Sequence, residues 1–434
     1  MLQRLEMVGV GPASKLALDF APRVNLLTGD NGLGKSFALE TAWWMLVHRG
    51  RSPLPGVHGA ESKLARVVLD ATLNGSRRQT TARFSPKTWR WTLGPFDRDQ
   101  ADPGYEPGPA VAAGVAIITR ADGSASVWDE ARNTLFALGE VATQAIPVYS
   151  FTRDEVWDGL TLDGRSLCNG LLRDWVSWQQ RGSDEFRALV AALEGLSPTD
   201  EPIRPSTPVR LSPTDALDYP AIQLSTGIVP VTHTSAGMQR VLSIAYALVW
   251  SVFEHQRAAT LMQGAPTSEL LLMVDEIEAH LHPRWQRVIL PALLRVVKAL
   301  ASSMRVQLIV STHSPLVLAS MEGEFDAAQD ALFDFDLVPR EGDGPRADVE
   351  VRKLDWRARG DANQWLTSEV FDLKQPGSLR REQALERAKA ALRQPGLSAE
   401  EVREIHRELH AVLGDTDPFW ARWEARAKAA GIDP

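Results

Sequence analysis

Continuous apolar runs alternate with longer amphipathic stretches over much of the chain. Three runs have the pattern of strands buried on both faces of a mainly parallel sheet: 24–28, 269–275 and 306–311. Apolar residues at helical spacing predict helices over 37–47, 234–255 and 285–301. Because strands and helices alternate, the pattern predicts a doubly wound α/β core with ligands at the carboxyl ends of the strands.

The middle and the end of the chain differ from this core. The Pro- and Gly-rich segment 94–110 predicts a loop, and a stretch rich in Pro, Ser and Asp at 196–220 closes the middle region. Between them, 114–128 predicts a hairpin turning at Ala121-Asp122-Gly123, and 166–195 predicts helices with tryptophans on one face. The tail predicts a short β segment to about residue 355, then helices near 382–393, 398–412 and 417–429, the second opened by a capping box of Ser398 and Glu401.

The first apolar run leads into the glycine-rich stretch GDNGLGKS, residues 29–36, ahead of a predicted helix. This stretch matches the P-loop pattern G-x-x-x-x-G-K-[ST] in its strand, loop and helix setting. Such a loop turns successive N–H groups towards phosphate, with Asn31, Gly32 and Gly34 as nucleotide-binding positions. Lys35 would reach the β- and γ-phosphates of ATP, and the Ser36 hydroxyl would ligate Mg²⁺. An ordinary strand-to-helix turn with a surface lysine is the alternative.

Two later strands also end in polar residues. The run at 269–275 ends in Asp275-Glu276, the form of a Walker B motif. Asp275 would hold hydrated Mg²⁺, and Glu276 would orient and polarise the attacking water. The next strand ends at Ser311, and His313 follows, where it would sense the γ-phosphate and orient the same water. A buried strand with two surface acids and a structural histidine are the alternatives.

The helix predicted from Thr234 opens with Ser235-Ala236-Gly237-Met238-Gln239-Arg240. Ser235 and Gly237 at a helix N-terminus would present a hydroxyl and N–H groups to an anion, which makes a second phosphate site. One γ-phosphate hardly needs two cradles from one chain. The second cradle is therefore predicted to close over the nucleotide of another copy, in an ATP-dependent dimer. A plain helix N-cap is the alternative.

Composition narrows the class of protein. The chain is 44% hydrophobic and 24% charged, as in soluble globular proteins, and no run of 18 uncharged apolar residues predicts a membrane span. A single cysteine, Cys168, and an N-terminus without a signal-peptide pattern are typical of the cytoplasm. A net charge of −8 argues against non-specific coating of nucleic acid, although a local basic groove stays open. Most of the 14 tryptophans are expected in the core rather than at interfaces.

The order P-loop, S-x-G-x-x-R, D-E and S-T-H-S-P resembles the ABC-type ATPases of the RecF/SMC-like branch. This branch includes the overcoming-lysogenization-defect (OLD-like, AAA_21) family and the ATPase subunit of Septu-type phage defence. The stretches DEIEAHLHPRWQ, 275–286, and STHSPLVLAS, 311–320, carry the resemblance most clearly. It covers residues 1–75 and about 225–340.

The resemblance implies a head-to-head dimer with two ATP molecules, each between the P-loop of one head and the signature of the other. It places a D-loop at 279–283, facing the partner, and implies a Q-loop glutamine for which Gln144 and Gln179 are both candidates. His280 and His282 lack the ligand spacing of a zinc site.

The predicted fold class is α/β, an ABC-type P-loop ATPase head with an inserted lid and a helical tail. The β-rich N-terminal part of the head spans 1–75, the mixed α/β lid 76–224, the rest of the head 225–340 and the helical C-terminal region 341–434. The long segment between P-loop and signature lacks heptads, which favours a compact lid over a long arm. Residues 321–434 lack the Toprim pattern that nuclease members of the OLD group carry, so DNA cutting would need a separate protein.

The sequence therefore predicts a cytoplasmic ATPase that uses ATP and Mg²⁺ as a homodimer or a higher assembly of dimers. It is expected to regulate a separate effector protein, for which a nuclease is one candidate, in DNA-linked antiphage defence. An ATP-gated scaffold with little turnover and a DNA repair or maintenance ATPase of RecF/SMC type are the alternatives. A transporter subunit is disfavoured by the insert, DNA binding is left open, and no membrane partner is expected.

Overall fold

The computed structural model describes residues 1–47, 65–73, 76–87, 90–94, 114–132, 148–162, 164–214, 216–339, 347–394, 396–429 and 431. The chain divides into two compact units, Met1–Gly360 and Asp361–Pro434. The P-loop, the Walker B segment, the signature segment and His313 all belong to the first unit.

The described strands of the first unit, in chain order, are β1 (Leu2–Val10), β2 (Ala13–Asp19), β3 (Val24–Gly29), β4 (Arg66–Leu73), β5 (Ser76–Ser85), β6 (Arg90–Gly94), β7 (Val115–Thr119), β8 (Ala125–Asp129), β9 (Val148–Phe151), β10 (Thr161–Leu162), β11 (Arg165–Ser166), β12 (Arg204–Val209), β13 (Tyr219–Leu224), β14 (Gly227–Pro230), β15 (Glu269–Val274), β16 (Arg305–Ser311), β17 (Asp330–Pro339) and β18 (Ala347–Leu354). Its helices are α1 (Lys35–Val47), α2 (Arg153–Asp158), α3 (Gly170–Arg181), α4 (Asp184–Leu196), α5 (Ala236–Leu261), α6 (Pro283–Gln286), α7 (Ile289–Leu300) and α8 (Pro315–Ser320).

An eight-stranded central sheet positions the site, with the strand order β18-β17-β3-β16-β15-β7-β8-β9. The five strands from β17 to β7 run parallel, and antiparallel strands close both edges. The carboxyl ends of β3, β15 and β16 therefore meet at one edge of the sheet, where doubly wound folds place their ligands. This topology confirms the predicted α/β fold class.

A second large sheet, β2-β1-β4-β5-β6, is antiparallel throughout and makes the N-terminal part β-rich, as predicted. One apolar core joins residues of this sheet, of α1 and of the central sheet. Because α1 contacts strands of both sheets, it is apolar nearly all round rather than on one stripe. Trp43 is buried in that core, and the ring of Trp44 packs edge-on against Trp91 at 5.7 Å between centroids.

The predicted hairpin is present as β7 and β8, which pair from Val115 with Asp129 to Thr119 with Ala125 and join the edge of the central sheet. Strands from the segment assigned to the lid thus lie in both large sheets. The domain boundaries themselves stay a prediction. Helices α3 and α4 fall where the sequence predicts them, and Trp175 and Trp178 of α3 are buried.

The prediction of one continuous helix over 285–301 was wrong. The stretch 285–301 forms two helices, α6 and α7, separated at Arg287 and Val288. Pro291 explains the break, because its ring would clash with the carbonyl of Arg287 in a continuous helix and it has no N–H to donate there. The structure places Pro291 in the first turn of α7, where no such donor is needed.

Helix α5 is long and apolar enough to cross a bilayer by length and composition, but 78% of its most apolar window is buried inside the protein. Such burial is typical of the core helix of a globular domain. Helices α2, α4 and α7 contact α5, and the contacts of α5 with β7 and β8 attach it to the central sheet.

The second unit contains helices α9 (Ala362–Leu366), α10 (Leu379–Arg393), α11 (Ala399–His410) and α12 (Phe419–Ala429). Helices α10 to α12 share one apolar core, with Trp423 fully buried in it. The predicted capping box opens α11: the Ser398 hydroxyl accepts the N–H of Glu401, whose carboxylate accepts the N–H of Ser398.

Candidate functional site

The P-loop follows the fully buried strand β3 and leads into α1. Its three glycines have positive φ values of 119° at Gly29, 78° at Gly32 and 100° at Gly34. A Cβ at Gly29 would lie 2.1 Å from the carbonyl oxygen of Phe335, and one at Gly34 would lie 2.5 Å from Cγ of Pro12. Both backbone conformation and neighbouring atoms therefore require glycine at these two positions.

Lys35 folds back over its own loop. Its Nζ donates hydrogen bonds to the carbonyl oxygens of Gly29, at 2.8 Å, and Asp30, at 2.7 Å. Burial lowers the pKa of the Lys35 ammonium to about 8, although the carboxylates of Asp30 and Glu276 oppose this change. The ammonium is thus held at the mouth of the loop by carbonyl groups alone, which phosphate oxygens can outcompete.

Asp275 lies at the tip of β15, in contact with the P-loop helix. The hydroxyl of Ser36 donates to its Oδ1 at 2.9 Å, and the hydroxyl of Ser311 donates to the same oxygen at 2.6 Å. Its backbone N–H donates to the carbonyl of Thr119 at 2.9 Å, in the neighbouring strand β7. Asp275 is therefore fixed by groups from three separate segments of the chain, two of which bind its carboxylate.

Glu276 and His313 face each other across the site. Glu276 has a positive φ of 45°, and its backbone N–H donates to the Ser311 hydroxyl at 2.7 Å. His313 Nε2 lies 3.9 Å from Glu276 Oε1, too far for a direct hydrogen bond, and both side chains are partly exposed. This leaves the carboxylate and the imidazole available to a ligand in the cavity that both residues line.

Glu278 is a third acid of the site, and its role was missed from the sequence. Its Oε2 accepts the Thr312 hydroxyl at 2.7 Å, and its Oε1 accepts the backbone N–H of His313 at 2.5 Å. Burial raises the pKa of Glu278, while these two hydrogen bonds favour the carboxylate. Glu278 therefore holds the segment that carries His313 against the Walker B segment; the signal was its place in the stretch D-E-x-E.

The predicted nucleotide residues share one open cavity on this edge of the sheet. Among the described residues, the cavity is lined by Asn31, Gly32, Gly34, Lys35, Ser36, Phe37, Glu276, Glu278 and His313. Asp275 lies directly behind Ser36, to which it is hydrogen-bonded. The structure thus brings together the P-loop, Walker B and His313 segments, which are far apart in the sequence.

The signature residues lie elsewhere on the first unit. Ser235 caps α5, with its hydroxyl accepting the N–H of Met238 at 3.3 Å. Gly237 is buried, and a Cβ there would lie 2.4 Å from the carbonyl oxygen of His280. Neither Ser235 nor Gly237 is among the described residues that line the cavity of the P-loop.

Arg240, near the beginning of α5, is a second residue whose role was missed from the sequence. Its Nη2 donates to the backbone carbonyl of Asp275 at 2.8 Å, and its Nη1 donates to the carbonyl of Arg120. Burial lowers the pKa of the Arg240 guanidinium to about 10, opposed most by the nearby Asp275 carboxylate. The motif S-x-G-x-x-R contains Arg240, but its partners became visible only in the fold.

Gln144 and Gln179 are the two candidates for the Q-loop glutamine. Gln144 lies outside the described residues. Gln179 accepts the indole N–H of Trp175 at 3.1 Å and donates to the carbonyl of Ser206 at 2.8 Å, so both ends of its amide are engaged within the α3 to β12 region. The Q-loop position stays a prediction.

The donor set fits a nucleotide with a hard cation. The loop contains three glycines with positive φ, and at Gly32 no heavy atom lies within 4 Å of an added Cβ, so this part of the loop is open to a ligand. Ser36 and Asp275 supply hydroxyl and carboxylate oxygens, the ligands that Mg²⁺ prefers. In the described part of the chain, no group of three or more His, Cys, Asp and Glu side chains is placed to hold another metal.

The parallel sheet, the P-loop at the end of β3 and the acids at the end of β15 form the arrangement of a P-loop nucleotide-binding domain. Residues 221–319 match the family model AAA_21, described as an AAA domain, putative AbiEii toxin, of a Type IV TA system. This match confirms the resemblance to the OLD-like branch.

Curated relatives and solved structures are similar over different parts of the chain. The Retron Vc95 probable ATPase of Vibrio cholerae serotype O1 biovar El Tor is 41% identical over 54 residues, and the Retron Ec83 probable ATPase of Escherichia coli is 39% identical over 54. These matches span 12% of this chain and 9% of each retron protein.

Among solved structures, the SMC head domain from Thermotoga maritima is 14% identical, with 82% of this chain and 99% of that chain covered and a TM-score of 0.38. The recombination mediator protein RecF with ATPrS, of the RecFOR pathway, is 11% identical, with 77% and 95% covered and a TM-score of 0.35.

Proposed function

We propose that this protein is a cytoplasmic ATPase that hydrolyses ATP at composite sites between two head-to-head copies and thereby regulates a separate effector protein. The observation that carries the proposal is the shared cavity of Lys35, Ser36, Glu276 and His313, with Asp275 behind Ser36. A lysine, a hydroxyl and two acids at strand tips are the parts that phosphoryl transfer to water requires.

In the proposed reaction, Lys35 exchanges the carbonyls of Gly29 and Asp30 for phosphate oxygens. Ser36 and Asp275 hold Mg²⁺, which when bound neutralises the charge of the phosphates. Glu276 accepts a proton from the water that attacks the γ-phosphorus, the bond from that phosphorus to the β–γ bridging oxygen breaks and ADP leaves, and His313 donates a hydrogen bond to the γ-phosphate. The position of His313 just after β16 supports this role, because its Nε2 lies 3.9 Å from Oε1 of Glu276 and both residues line the cavity.

A second copy is proposed to complete each site with Ser235 and Gly237. Both residues lie at the N-terminus of α5, a helix of 26 residues whose aligned peptide dipoles favour an anion there. Ser235 is exposed, and among the described residues its hydroxyl is engaged by the N–H of Met238 in its own first turn, so a ligand can reach it. Assemblies larger than the dimer remain compatible with this arrangement.

The effector role rests on similarity. The retron relatives are named probable ATPases, and the family description names a toxin system, so a defence context with a separate effector, such as a nuclease, is proposed for this chain. Activation of the ATPase by DNA would agree with the resemblance to the RecF/SMC-like branch. An effector encoded beside this gene would support it, and a permease gene in that place would contradict it.

Phosphate release by the purified chain tests the ATPase proposal directly. With ATP and Mg²⁺, release is expected to rise more steeply than the protein concentration in the range where dimers form, and to be absent for Lys35→Ala. A matched control is Lys298→Ala, on α7. Release that Lys35→Ala leaves unchanged would refute the proposal. ATP-dependent dimers without turnover would instead identify an ATP-gated scaffold.

A further inference from the structure

A buried guanidinium connects the signature helix to the nucleotide side of the same chain. Arg240 is 4% exposed and lies at the start of α5. It donates from Nη2 to the carbonyl of Asp275 at 2.8 Å and from Nη1 to the carbonyl of Arg120. Within the described part of the chain, its Nε has no hydrogen-bond partner. A buried cation that binds only carbonyl groups costs stability, so its retention calls for a function at this place.

Arg240 does not determine where Asp275 lies. The Asp275 carboxylate is held by the hydroxyls of Ser36 and Ser311, at 2.9 and 2.6 Å, and its N–H is held by the carbonyl of Thr119. None of these three bonds involves Arg240. The Asp275 backbone is therefore the fixed point of the contact, and the helix is the part that is positioned.

The beginning of α5 has few other attachments of this kind. Ser235 and Ala236 are exposed, and Gly237 has no side chain, although it packs on the His280 carbonyl. The Gln239 amide donates to the carbonyls of Thr232 and Thr234, which belong to the segment just before the helix, and its oxygen accepts from Arg153 of α2 at 2.8 Å. Arg240 thus carries the side-chain hydrogen bonds from this end of α5 to the Walker B strand and to the β7–β8 hairpin.

The hairpin end of the link is itself tied to the P-loop helix. The Arg120 guanidinium forms a two-point ion pair with Glu40 of α1, through Nε to Oε1 and through Nη2 to Oε2 at 3.1 Å. Its Nη1 also donates to the hydroxyl of Ser126 at 3.1 Å. A series of contacts therefore connects Glu40 in α1, through Arg120, to Arg240 in α5. A planar guanidinium fixes orientation as well as distance at each step.

We propose that Arg240 is a positioning residue for the nucleotide site of the second copy: it sets the signature end of its own helix against its own P-loop side, so that Ser235 and Gly237 meet the partner's nucleotide. This inference rests on the proposed function. It states that the effect of Arg240 is exerted on the site across the dimer interface, and not on the P-loop site of its own chain.

Single variants measure the size of the effect. Arg240→Gln is expected to keep ATP binding within about twofold and to lower kcat by about 10- to 100-fold, as misplacement of a site group does. Arg240→Lys, which keeps the charge but loses the fork, is expected to be similarly impaired. Arg257→Gln on the same helix is the matched control, since Arg257 pairs with Glu185 and Glu254 far from the signature, and its activity should be unchanged.

Mixing two impaired variants distinguishes an effect of Arg240 on the site of the second copy from an effect on the site of its own chain. Chains with Arg240→Gln keep an intact P-loop, and chains with Lys35→Ala keep an intact signature end. In a mixed dimer, one composite site then combines the intact P-loop with the intact signature. An equal mixture is expected to recover about a quarter of the wild-type phosphate release, because half of the dimers are mixed and each has one complete site of two. No recovery here, when the control mixture described next does recover, would place the effect within the same chain and overturn the inference.

A control mixture keeps this outcome distinct from failure of the proposed function. Ser235→Arg with Lys35→Ala must recover activity if composite sites exist at all. Recovery in the control but not with Arg240→Gln overturns the role of Arg240 alone, whereas no recovery in either mixture overturns both proposals. If Arg240→Gln fails to fold, as judged by its melting curve, Glu40→Gln replaces it in the same mixtures, with a smaller loss of kcat and the same pattern of recovery expected.

Discussion

The hydroxyl of Ser311 lies 2.6 Å from Oδ1 of Asp275 and accepts the backbone N–H of Glu276 at 2.7 Å. One side chain at the tip of β16 therefore orients both acids at the tip of β15. Ser311 is fully buried, so neither bond is exposed to competition from water. This makes Ser311 the support for the geometry that the proposed hydrolysis needs.

Ser311→Ala is expected to lower phosphate release by about 10- to 100-fold, the usual effect of removing a group that orients a metal-binding carboxylate. The buried N–H of Glu276 would also lose its acceptor, which lowers the free energy of unfolding by about 1–3 kcal/mol. Phosphate release and chemical denaturation measure the two effects. Ser251→Ala is the control, because that buried hydroxyl bonds within its own helix; equal activity losses in both variants would contradict the role of Ser311.

The order of motifs was enough to predict which segments meet. Lys35, Asp275 and His313 each follow a strand with the pattern of a buried parallel strand, and parallel strands bring their carboxyl ends to one edge. Their roles stay predictions. Ser311 was visible in the sequence, but its importance depends on β15 and β16 being neighbours, which the pattern along the chain does not specify.

Other features required the fold itself. The link from Glu40 through Arg120 to Arg240 joins three segments whose charges look unrelated along the sequence. Likewise, the break before α7 follows from Pro291, a local signal that the apolar pattern outweighed in the prediction. The strands β7 to β9 join the central sheet at its edge, and no periodicity distinguishes an edge strand of one sheet from a strand of another.

Glu276→Gln tests the proposed base. The substitution keeps the shape of the side chain but removes its ability to take a proton, so hydrolysis is expected to slow by at least about a hundredfold. ATP binding, measured with a fluorescent analogue, should remain near the wild-type value. Glu194→Gln on α4 is the control, since that acid is exposed, pairs with Arg204 and is not among the described residues that line the P-loop cavity. Normal turnover by Glu276→Gln would refute the assignment.

Gly237→Ala tests the contact between the signature helix and the D-loop. The added Cβ would lie 2.4 Å from the His280 carbonyl oxygen, so the loop or the helix must move. Such overpacking is expected to lower the free energy of unfolding by about 1–3 kcal/mol, and phosphate release should fall as well. At Gly264, by contrast, the nearest heavy atom to an added Cβ is 3.9 Å away, so Gly264→Ala should leave both measurements unchanged. A Gly237→Ala protein that is as stable and active as the wild type would show that this close packing is not needed.

The lowered pKa of Lys35 predicts how nucleotide affinity depends on pH. With a pKa of about 8 in the empty loop, Lys35 is charged at neutral pH and loses its proton as the pH rises further. Phosphate oxygens beside the ammonium would raise this pKa, so binding above about pH 8 takes up a proton. The Kd for ATP should therefore increase up to about tenfold per pH unit there. Lys35→Met is expected to bind weakly with no such slope. A flat wild-type Kd between about pH 7 and pH 9.5 would contradict the prediction.

Asp334, in β17 beside the P-loop strand β3, allows a test of how a buried carboxylate affects the stability of the fold. It pairs in register with Thr28 of β3, and its side chain is 3% exposed. Burial raises its pKa to about 6, although Arg352 donates to the carboxylate at 3.1 Å. Because the folded state holds this proton more tightly than the unfolded chain, the contribution of Asp334 to stability falls as the pH rises from about 4 through 6. The accumulated cost at neutral pH is on the order of 2–3 kcal/mol.

Asp334→Asn should remove that cost, because the amide is uncharged at every pH in this range. We expect its melting temperature at neutral pH to exceed that of the wild type by several degrees, with the difference shrinking as the pH approaches about 4. Asp336→Asn is the matched control: it binds the same Arg352, but its side chain is 47% exposed, so little change is expected. A lower melting temperature for Asp334→Asn at neutral pH would mean that the ion pair with Arg352 outweighs the cost of burying the carboxylate, and that the strand beside the P-loop is stabilised by its charge.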